Sequence, residues 1–224
     1  MIKYVGFDKD GTIINDVEDY KKEWGKLIHL DFGIDQKEAE DLFMDTIEGP
    51  TVHQLSTILK KNNINLSEAK IFRKAEELAY RLGKNSKGDA FPEVLNVFKE
   101  LKKKGYGLFV SSGQQEIIMK EDLQRTGLMQ YVDYYVGIRP DQPEFKKGEP
   151  HFRDVARYFG VDFPVFVKET VFVGDTLVDI EIPNKLGMIS VARLGTLSKE
   201  RLLEMGADSV IPDLSSLPEI LKTL

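Results

Sequence analysis

Residues 170–179 read Thr170-Val171-Phe172-Val173-Gly174-Asp175-Thr176-Leu177-Val178-Asp179. The short apolar run over 170–174, followed by an acidic residue and then helical spacing, predicts a buried strand that leads into a helix. Similar apolar runs at 106–110, 134–138 and 189–192 alternate with helical segments. This alternation is typical of βαβ units and predicts an α/β fold with a parallel sheet.

The first strand of this sheet is predicted over Ile2 to Asp8. From about residue 18 to 83 the spacing of apolar residues becomes helical, without β-rich runs, and four helices fit this stretch. The sequence therefore predicts an α/β domain formed by residues 1–15 and 89–224. An all-α domain formed by residues 16–88, with Trp24 in its core, interrupts it.

The composition limits the classes of protein to which this chain can belong. The chain has 224 residues, 42% of them hydrophobic and 30% charged, which is typical of a globular protein. No apolar run approaches the roughly 18 residues of a membrane span, and the N-terminus lacks a signal-peptide pattern. The net charge of −6 argues against a nucleic-acid-binding face. We therefore expect a cytoplasmic protein that binds neither membrane nor nucleic acid.

The chain has no cysteine and only three histidines, which are far apart. Disulfides, thiol nucleophiles and thiolate zinc sites are thereby excluded. A bound metal would have mainly oxygen ligands, which favours Mg²⁺ over Zn²⁺.

Polar residues follow the predicted strands at the edge where ligands bind in parallel α/β sheets. Asp8 and Asp10 lie two residues apart after the first strand, just before Gly11. Two such carboxylates can hold a hard cation together, or act as nucleophile and acid. The same residues are also typical of a simple turn.

Three further segments have two interpretations each. Ser111-Ser112-Gly113, between a strand and a helix, form either a phosphate site or an ordinary helix cap. Lys146 and Lys147, just before a helix that begins near Pro150, either contact a phosphate and a nucleophile or are solvated. Asp175 and Asp179 are separated by one helical turn after a buried strand, a spacing that a simple cap explains less well.

Together, these segments resemble the motifs of the haloacid dehalogenase superfamily of aspartate-nucleophile phosphohydrolases, and most closely its phosphoglycolate phosphatase and β-phosphoglucomutase branch. The matching segments cover essentially the whole chain: Asp8-Lys9-Asp10-Gly11-Thr12, Ser111, Lys147, and Gly174-Asp175-Thr176-Leu177-Val178-Asp179.

The chain departs from the family pattern at two places. Its third motif reads Lys147-Gly148-Glu149-Pro150 instead of Lys-Pro-x-Pro, and the retained Pro150 favours Lys147 over Lys146 as the active-site lysine. Pro183 is expected to kink or shorten the helix that carries Asp179.

The resemblance implies a Rossmann-like core with helices on both faces of the sheet, and it makes the helical insertion a cap domain. Asp8 would be the nucleophile and Asp10 the general acid and base. Mg²⁺ would be held by Asp8, the backbone carbonyl of Asp10, and Asp175. Asp179 would be either a further ligand or a residue that hydrogen-bonds to the ligands. The phosphoryl oxygens would be bound by Ser111, the amides of Ser112 and Gly113, and Lys147.

The function implied is a Mg²⁺-dependent phosphatase that acts on a small phosphorylated metabolite through an aspartyl-phosphate, with 2-phosphoglycolate as the best single substrate. A β-phosphoglucomutase-like phosphosugar mutase is the nearest alternative, and a non-catalytic phosphometabolite-binding module is an alternative from another class. In the cap, His53, Arg81 and Lys84 either contact an anionic leaving group or are ordinary surface residues. We expect a monomer or a homodimer.

Overall fold

The computed structural model of the protein describes residues 1–47, 49–142 and 145–224. Contacts divide the chain into two compact units: Met1–Asn15 together with Asp89–Leu224, and Asp16–Gly88. The strands are β1 (Tyr4–Phe7), β2 (Ile14–Asn15), β3 (Asp89–Ala90), β4 (Gly107–Gln115), β5 (Tyr134–Ile138), β6 (Thr170–Gly174), β7 (Ile189–Arg193) and β8 (Ser209–Ile211).

The helices follow in chain order. They are α1 (Val17–Phe32), α2 (Gln36–Asp45), α3 (Thr51–Lys61), α4 (Glu68–Asn85), α5 (Val94–Lys103), α6 (Glu116–Arg125), α7 (Glu149–Tyr158), α8 (Phe163–Lys168), α9 (Leu177–Leu186), α10 (Lys199–Glu204) and α11 (Leu217–Ile220).

The first unit is built on a six-stranded sheet in the order β5-β4-β1-β6-β7-β8. All neighbouring strands of this sheet run parallel. The strands are buried on both faces, since Val171 and Val173 pack with residues of α5 and α6, whereas Phe172 packs with residues of α7 and α8. The predicted α/β fold, with a parallel sheet and helices on both faces, is confirmed.

The centre of the sheet requires a glycine. Gly6 lies in β1, where an added Cβ would collide with the rings of Phe109 and Phe172 on the neighbouring strands. Both rings are fully buried. Because strand side chains alternate between faces, only glycine at this position leaves room for two large aromatics from both neighbours.

The structure differs from the sequence-based expectation in several places. Strand β4 does not end at Val110 but continues to Gln115, with a shift in its pairing to β5 between Ser111 and Gln115. Strands β2 and β3 form a small antiparallel pair where the chain leaves and re-enters the first unit. Helix α9 continues past Pro183 to Leu186. The N–H that Pro183 lacks would have bonded the backbone carbonyl of Asp179, four residues earlier, yet the helix continues for three residues beyond the proline.

The second unit contains α1 to α4 around its own apolar cluster. Trp24 is almost fully buried in this cluster, as expected from the sequence. Among the described residues, no helix combines the length and apolar character that crossing a membrane requires.

The close packing around Gly6 generates a stability prediction. Gly6→Ala should lower the free energy of unfolding by about 1–3 kcal/mol, because the added methyl group overpacks two buried rings. Gly113→Ala is the matched control, since it adds the same methyl group to β4 where, apart from its chain neighbours, no atom of the described residues lies within 4 Å. Urea unfolding of both variants measures the difference, and equal stabilities would contradict the packing argument.

Candidate active site

The candidate site lies at the carboxyl edge of the three central strands. Phe7 of β1 is in register with Val110 of β4 and Val173 of β6. The next residue on each strand, Asp8, Ser111 or Gly174, therefore reaches the same edge. In the sheet, β4 and β5 follow β1 on one side, and β6, β7 and β8 follow it on the other side. The strand order therefore reverses at β1, and Asp8 lies at the carboxyl end of this strand. Open α/β sheets bind ligands at such a point.

Three buried carboxylates meet at this edge. Asp8, Asp175 and Asp179 each offer one oxygen, and these oxygens lie within 4.8 Å of one another. Burial raises the pKa of Asp8 well above its usual range, Lys147 opposes this, and the neighbouring aspartates add to it. Burial and the charge of Asp179 raise the pKa of Asp175 to about 7. The cluster therefore favours the binding of positive charge.

Lys147 supplies part of the positive charge that this carboxylate cluster favours. Its Nζ lies 2.5 Å from Oδ1 of Asp8 and 2.6 Å from Oδ1 of Asp179. Although burial lowers the pKa of Lys147, these two carboxylates raise it above its usual value, so the ammonium stays charged. Lys146, by contrast, is exposed. The structure thus brings Lys147 to the site and leaves its neighbour in solvent.

Asp175 is fixed by two hydroxyl groups. Thr12 donates to its Oδ1 at 2.7 Å, and Thr196 donates to its Oδ2. Gly11 has φ +75°, and a Cβ there would collide with the Asp175 carboxylate. The turn of the first motif therefore needs glycine both for its backbone conformation and for its close approach to Asp175. Sequence reasoning did not assign a role to Thr196, because nothing nearby in the chain marks it.

Asp179 lies in the first turn of α9 and is held in a similar way. Its Oδ2 accepts hydrogen bonds from the Thr176 hydroxyl at 2.6 Å and from the Thr176 backbone N–H at 3.2 Å. An added Cβ at Gly174 would collide with the Asp179 side chain. Asp179 therefore acts as a helix cap and a partner of Lys147 at the same time.

Asp10 lies outside the cluster of three carboxylates. Its side chain is about one-quarter exposed, and its Oδ1 lies 2.6 Å from Nζ of Lys9. Lys9 is almost fully buried and also pairs with Asp122 on α6 at 2.8 Å. A salt bridge from the first motif to α6 was not foreseen, because 113 residues separate its two partners.

The Ser111-Ser112-Gly113 segment belongs to β4 and is followed by α6 only at Glu116. The expected strand-to-helix turn directly after Val110 was therefore wrong, because β4 pairs with β5 at Ser111 and again at Gln115, with an irregularity in the pairing between these two residues. Both serines are buried, whereas Gly113 is exposed. The hydroxyl of Ser112 accepts from the Gln114 backbone N–H at 3.1 Å and lies 3.4 Å from Asp10 Oδ2.

Ser111 has a partner that sequence reasoning did not find. Its Oγ lies 3.0 Å from Nδ1 of His151, a fully buried residue of α7. The only signal in the sequence was the position of His151 next to Pro150, one residue beyond the matched third motif.

The donor set of the site suits a hard divalent cation. Asp8, Asp175 and Asp179 contribute only oxygen atoms, and burial together with mutual repulsion raises the pKa of Asp8 and Asp175 in the absence of a cation. Carboxylate oxygens are the ligands that Mg²⁺ prefers. The residues present therefore fit the expected Mg²⁺.

In the second unit, the three residues considered for substrate contact have different surroundings. Arg81 donates to Asp31 at 2.7 Å. His53 is exposed, and Lys84 is half-buried with its Nζ 6.0 Å from the centre of the Tyr80 ring.

A model of the haloacid dehalogenase-like hydrolases matches residues 2–187. The chain belongs to this family. The expected superfamily is therefore confirmed, and family membership makes the protein a hydrolase. No curated protein matches this haloacid dehalogenase-like hydrolase in sequence.

Solved structures that resemble this haloacid dehalogenase-like hydrolase include proteins whose names refer to the expected branch. A predicted phosphoglycolate phosphatase from Haemophilus somnus has 21% sequence identity and a TM-score of 0.77, with 98% of each chain covered. A provisionally named β-phosphoglucomutase from Thermotoga maritima has 21% identity and a TM-score of 0.69, with 100% of each chain covered. A predicted phosphatase from Clostridium acetobutylicum has 19% identity and a TM-score of 0.77, with 100% of each chain covered. At these identities the similarity shows a shared fold.

The carboxylate cluster predicts how the stability of the metal-free hydrolase depends on pH. The pKa of Asp175 is raised from 3.8 to about 7 in the folded chain, so the folded state binds more protons than the unfolded state between these values. The contribution of Asp175 to the free energy of unfolding should therefore fall as pH rises from about 4 to 7. Mg²⁺ should raise the melting temperature more at pH 8 than at pH 5.5, because it compensates for ionised carboxylates.

Thermal unfolding in EDTA and in Mg²⁺, at both pH values, measures this effect. Asp175→Asn should lose most of the pH-dependent response to Mg²⁺. Asp41→Asn, which changes an exposed surface ion pair, should behave like the wild type. A response to Mg²⁺ that is the same at both pH values in the wild type would contradict the expected coupling.

Proposed function

We propose that this hydrolase is a Mg²⁺-dependent phosphatase that cleaves a small-molecule phosphate monoester through an aspartyl-phosphate on Asp8. The observation that carries the proposal is the position of Asp8, next to Lys147 and within a buried cluster of three carboxylates. A carboxylate nucleophile beside a fixed ammonium and a cation site suits attack on a negatively charged phosphoryl group.

In the first step, a carboxylate oxygen of Asp8 forms a bond to phosphorus while the bond from phosphorus to the ester oxygen breaks. Asp10 gives its proton to the leaving oxygen, so that an alcohol is released. The partial exposure of Asp10 agrees with a side chain that has to meet a leaving group. Asp8 then carries the phosphoryl group.

In the second step, water attacks the phosphorus of the aspartyl-phosphate. Asp10, now ionised, takes a proton from this water, and the bond between Asp8 and phosphorus breaks. Inorganic phosphate leaves, and both aspartates return to their starting states. The same group thus serves as acid and then as base.

The phosphoryl oxygens would be bound by Lys147, the Ser111 hydroxyl and the amides of Ser112 and Gly113. Asp8, Asp175 and the Asp10 backbone carbonyl would hold Mg²⁺, with Asp179 as a ligand or, through Lys147 and Thr176, as a supporting residue. The bound cation would offset negative charge on the phosphoryl group.

The unit Asp16–Gly88 would be the cap, and the unit that combines 1–15 with 89–224 would be the catalytic core. The cap would exclude water and select the leaving group, with His53, Arg81 and Lys84 as candidates for anionic substrates. Arg81 would have to leave or share Asp31 to take part. Among substrates, 2-phosphoglycolate is our first choice. A cytoplasmic location and a monomeric or homodimeric state remain predictions.

A phosphosugar mutase would use the same core residues and differ in how well the cap protects the aspartyl-phosphate from water. The provisionally named β-phosphoglucomutase with a similar fold keeps this alternative open. A non-catalytic binding module is less favoured, because it has no need for both Asp8 and Asp10.

The test is phosphate release from a panel that contains 2-phosphoglycolate, other phosphorylated metabolites and β-glucose 1-phosphate, with Mg²⁺ and with EDTA. Asp8→Asn should reduce release to background, because the nucleophile is lost. Asp10→Asn should slow turnover by about 10²–10⁴-fold, as expected when a general acid is removed.

Asp41→Asn serves as the control and should retain full turnover. Wild-type activity in purified Asp8→Asn would refute the aspartyl-phosphate mechanism. Formation of glucose 6-phosphate from β-glucose 1-phosphate would identify a mutase. Tight binding of a metabolite without any turnover would identify a binding module.

A further inference from the structure

The hydrogen bond between Ser111 and His151 is the feature of this site that the mechanism above does not explain. His151 is fully buried in α7, and its Nδ1 lies 3.0 Å from Ser111 Oγ. The imidazole ring packs against the ring of Phe145, with their centroids 4.9 Å apart. The Arg139 guanidinium carbon lies 4.2 Å from the centroid of the same Phe145 ring. The imidazole is therefore held in one orientation.

Ser111 has a single hydroxyl proton. An ionised phosphoryl oxygen can only accept a hydrogen bond, so Ser111 must donate that proton to bind it. If Nδ1 of His151 accepted the same proton, none would remain for the phosphoryl group. If Nδ1 carries a proton and donates it to Oγ, the hydroxyl proton stays available.

One observation favours the second arrangement, in which Nδ1 carries the proton. The other ring nitrogen, Nε2, is buried and has no hydrogen-bond partner among residues 1–47, 49–142 and 145–224. A buried acceptor without a partner is tolerated better than a buried N–H without one, which favours a proton on Nδ1.

The charge state of the ring makes the position of its proton the deciding question. Burial and the nearby Lys147 and Arg139 cations lower the pKa of His151 to about 4, against opposing contributions from Asp154 and the Phe145 backbone. At neutral pH the ring is therefore uncharged and carries one proton, so the position of that proton decides which partner donates.

We propose that His151 is a positioning residue, which donates its Nδ1 proton to Ser111 Oγ and so directs the Ser111 hydroxyl proton towards a phosphoryl oxygen. The inference rests on the proposed function for the role of Ser111 as a phosphoryl ligand. The orientation of the hydroxyl does not depend on which ester is the substrate.

The first measurement is the tautomer of His151, by NMR correlation of the ring nitrogens with the ring carbon-bound protons in ¹⁵N-labelled full-length protein at pH 7. The chain has three histidines, and His151→Asn identifies the His151 signals by their loss. A proton on Nδ1 supports the proposal. A proton on Nε2, or a charged ring, overturns it, whether or not any ester is hydrolysed.

The second measurement is the kinetic coupling of the two residues on an ester that the wild type hydrolyses. His151→Leu removes the donor and should lower kcat/KM roughly 10- to 100-fold, as loss of a residue that orients an active-site group does. His151→Asn should restore most of the activity, because its amide N–H can take the place of Nδ1–H. Thermal unfolding of each variant monitors the fold.

A double-mutant cycle separates positioning from general support of the fold. In a Ser111→Ala background, His151→Leu should have little further effect on kcat/KM, because the group that it positions is gone. Equal effects in both backgrounds would overturn the proposal. If Ser111→Ala alone leaves kcat/KM unchanged, the assigned phosphate site fails instead, and the tautomer still decides the hydrogen bond.

Discussion

The structure of the core depends on the burial of three carboxylates at one edge of a parallel sheet. Asp8, Asp175 and Asp179 are almost fully buried, and charged groups are rarely found in such a place unless they are paired. Lys147 supplies an ammonium between Asp8 and Asp179, while hydroxyl groups from Thr12 and Thr196 satisfy Asp175. The remaining excess of negative charge is what suits the site to a divalent cation.

Close backbone packing makes this concentration of charge possible. Two of the carboxylates lie against a glycine, where a Cβ would collide with them: Asp175 against Gly11, and Asp179 against Gly174. Gly6 has the same role one layer further into the core, where it admits Phe109 and Phe172. The site and the hydrophobic core next to it therefore have the same requirement: glycine, which has no side chain, at Gly6, Gly11 and Gly174.

A second layer of residues surrounds those expected to touch substrate. His151 contacts Ser111, Thr176 contacts Asp179, and Lys9 links Asp10 to Asp122. These contacts come from α7, α9 and α6, three helices that lie far apart in the sequence. Lys9 and Thr176 lie within the matched motifs, whereas His151 lies just beyond one; the contacts of Lys9 with Asp122 and of His151 with Ser111 form only when α6 and α7 pack on the sheet.

Much of this protein could be predicted from the order of its residues. The alternation of apolar strands and helices indicated a parallel α/β sheet, because strands buried on both faces must be apolar throughout. Polar residues directly after strands indicated the position of the site, and the retained Pro150 indicated Lys147. These signals are local, and each arises from the geometry of a short segment.

The rest was decided by tertiary structure. Strand β4 continues past Val110 to Gln115 because β5 pairs with it at Ser111 and again at Gln115, which the local sequence of serine and glycine does not indicate. Thr196 reaches Asp175 from 21 residues away, and Asp122 reaches Lys9 across 113 residues. The sequence by itself determined most of the strands and helices and the acidic motifs, since these follow from local spacing and polarity. Only folding decided which partners neutralise and orient the buried charges, because electrostatic contacts depend on distance in space.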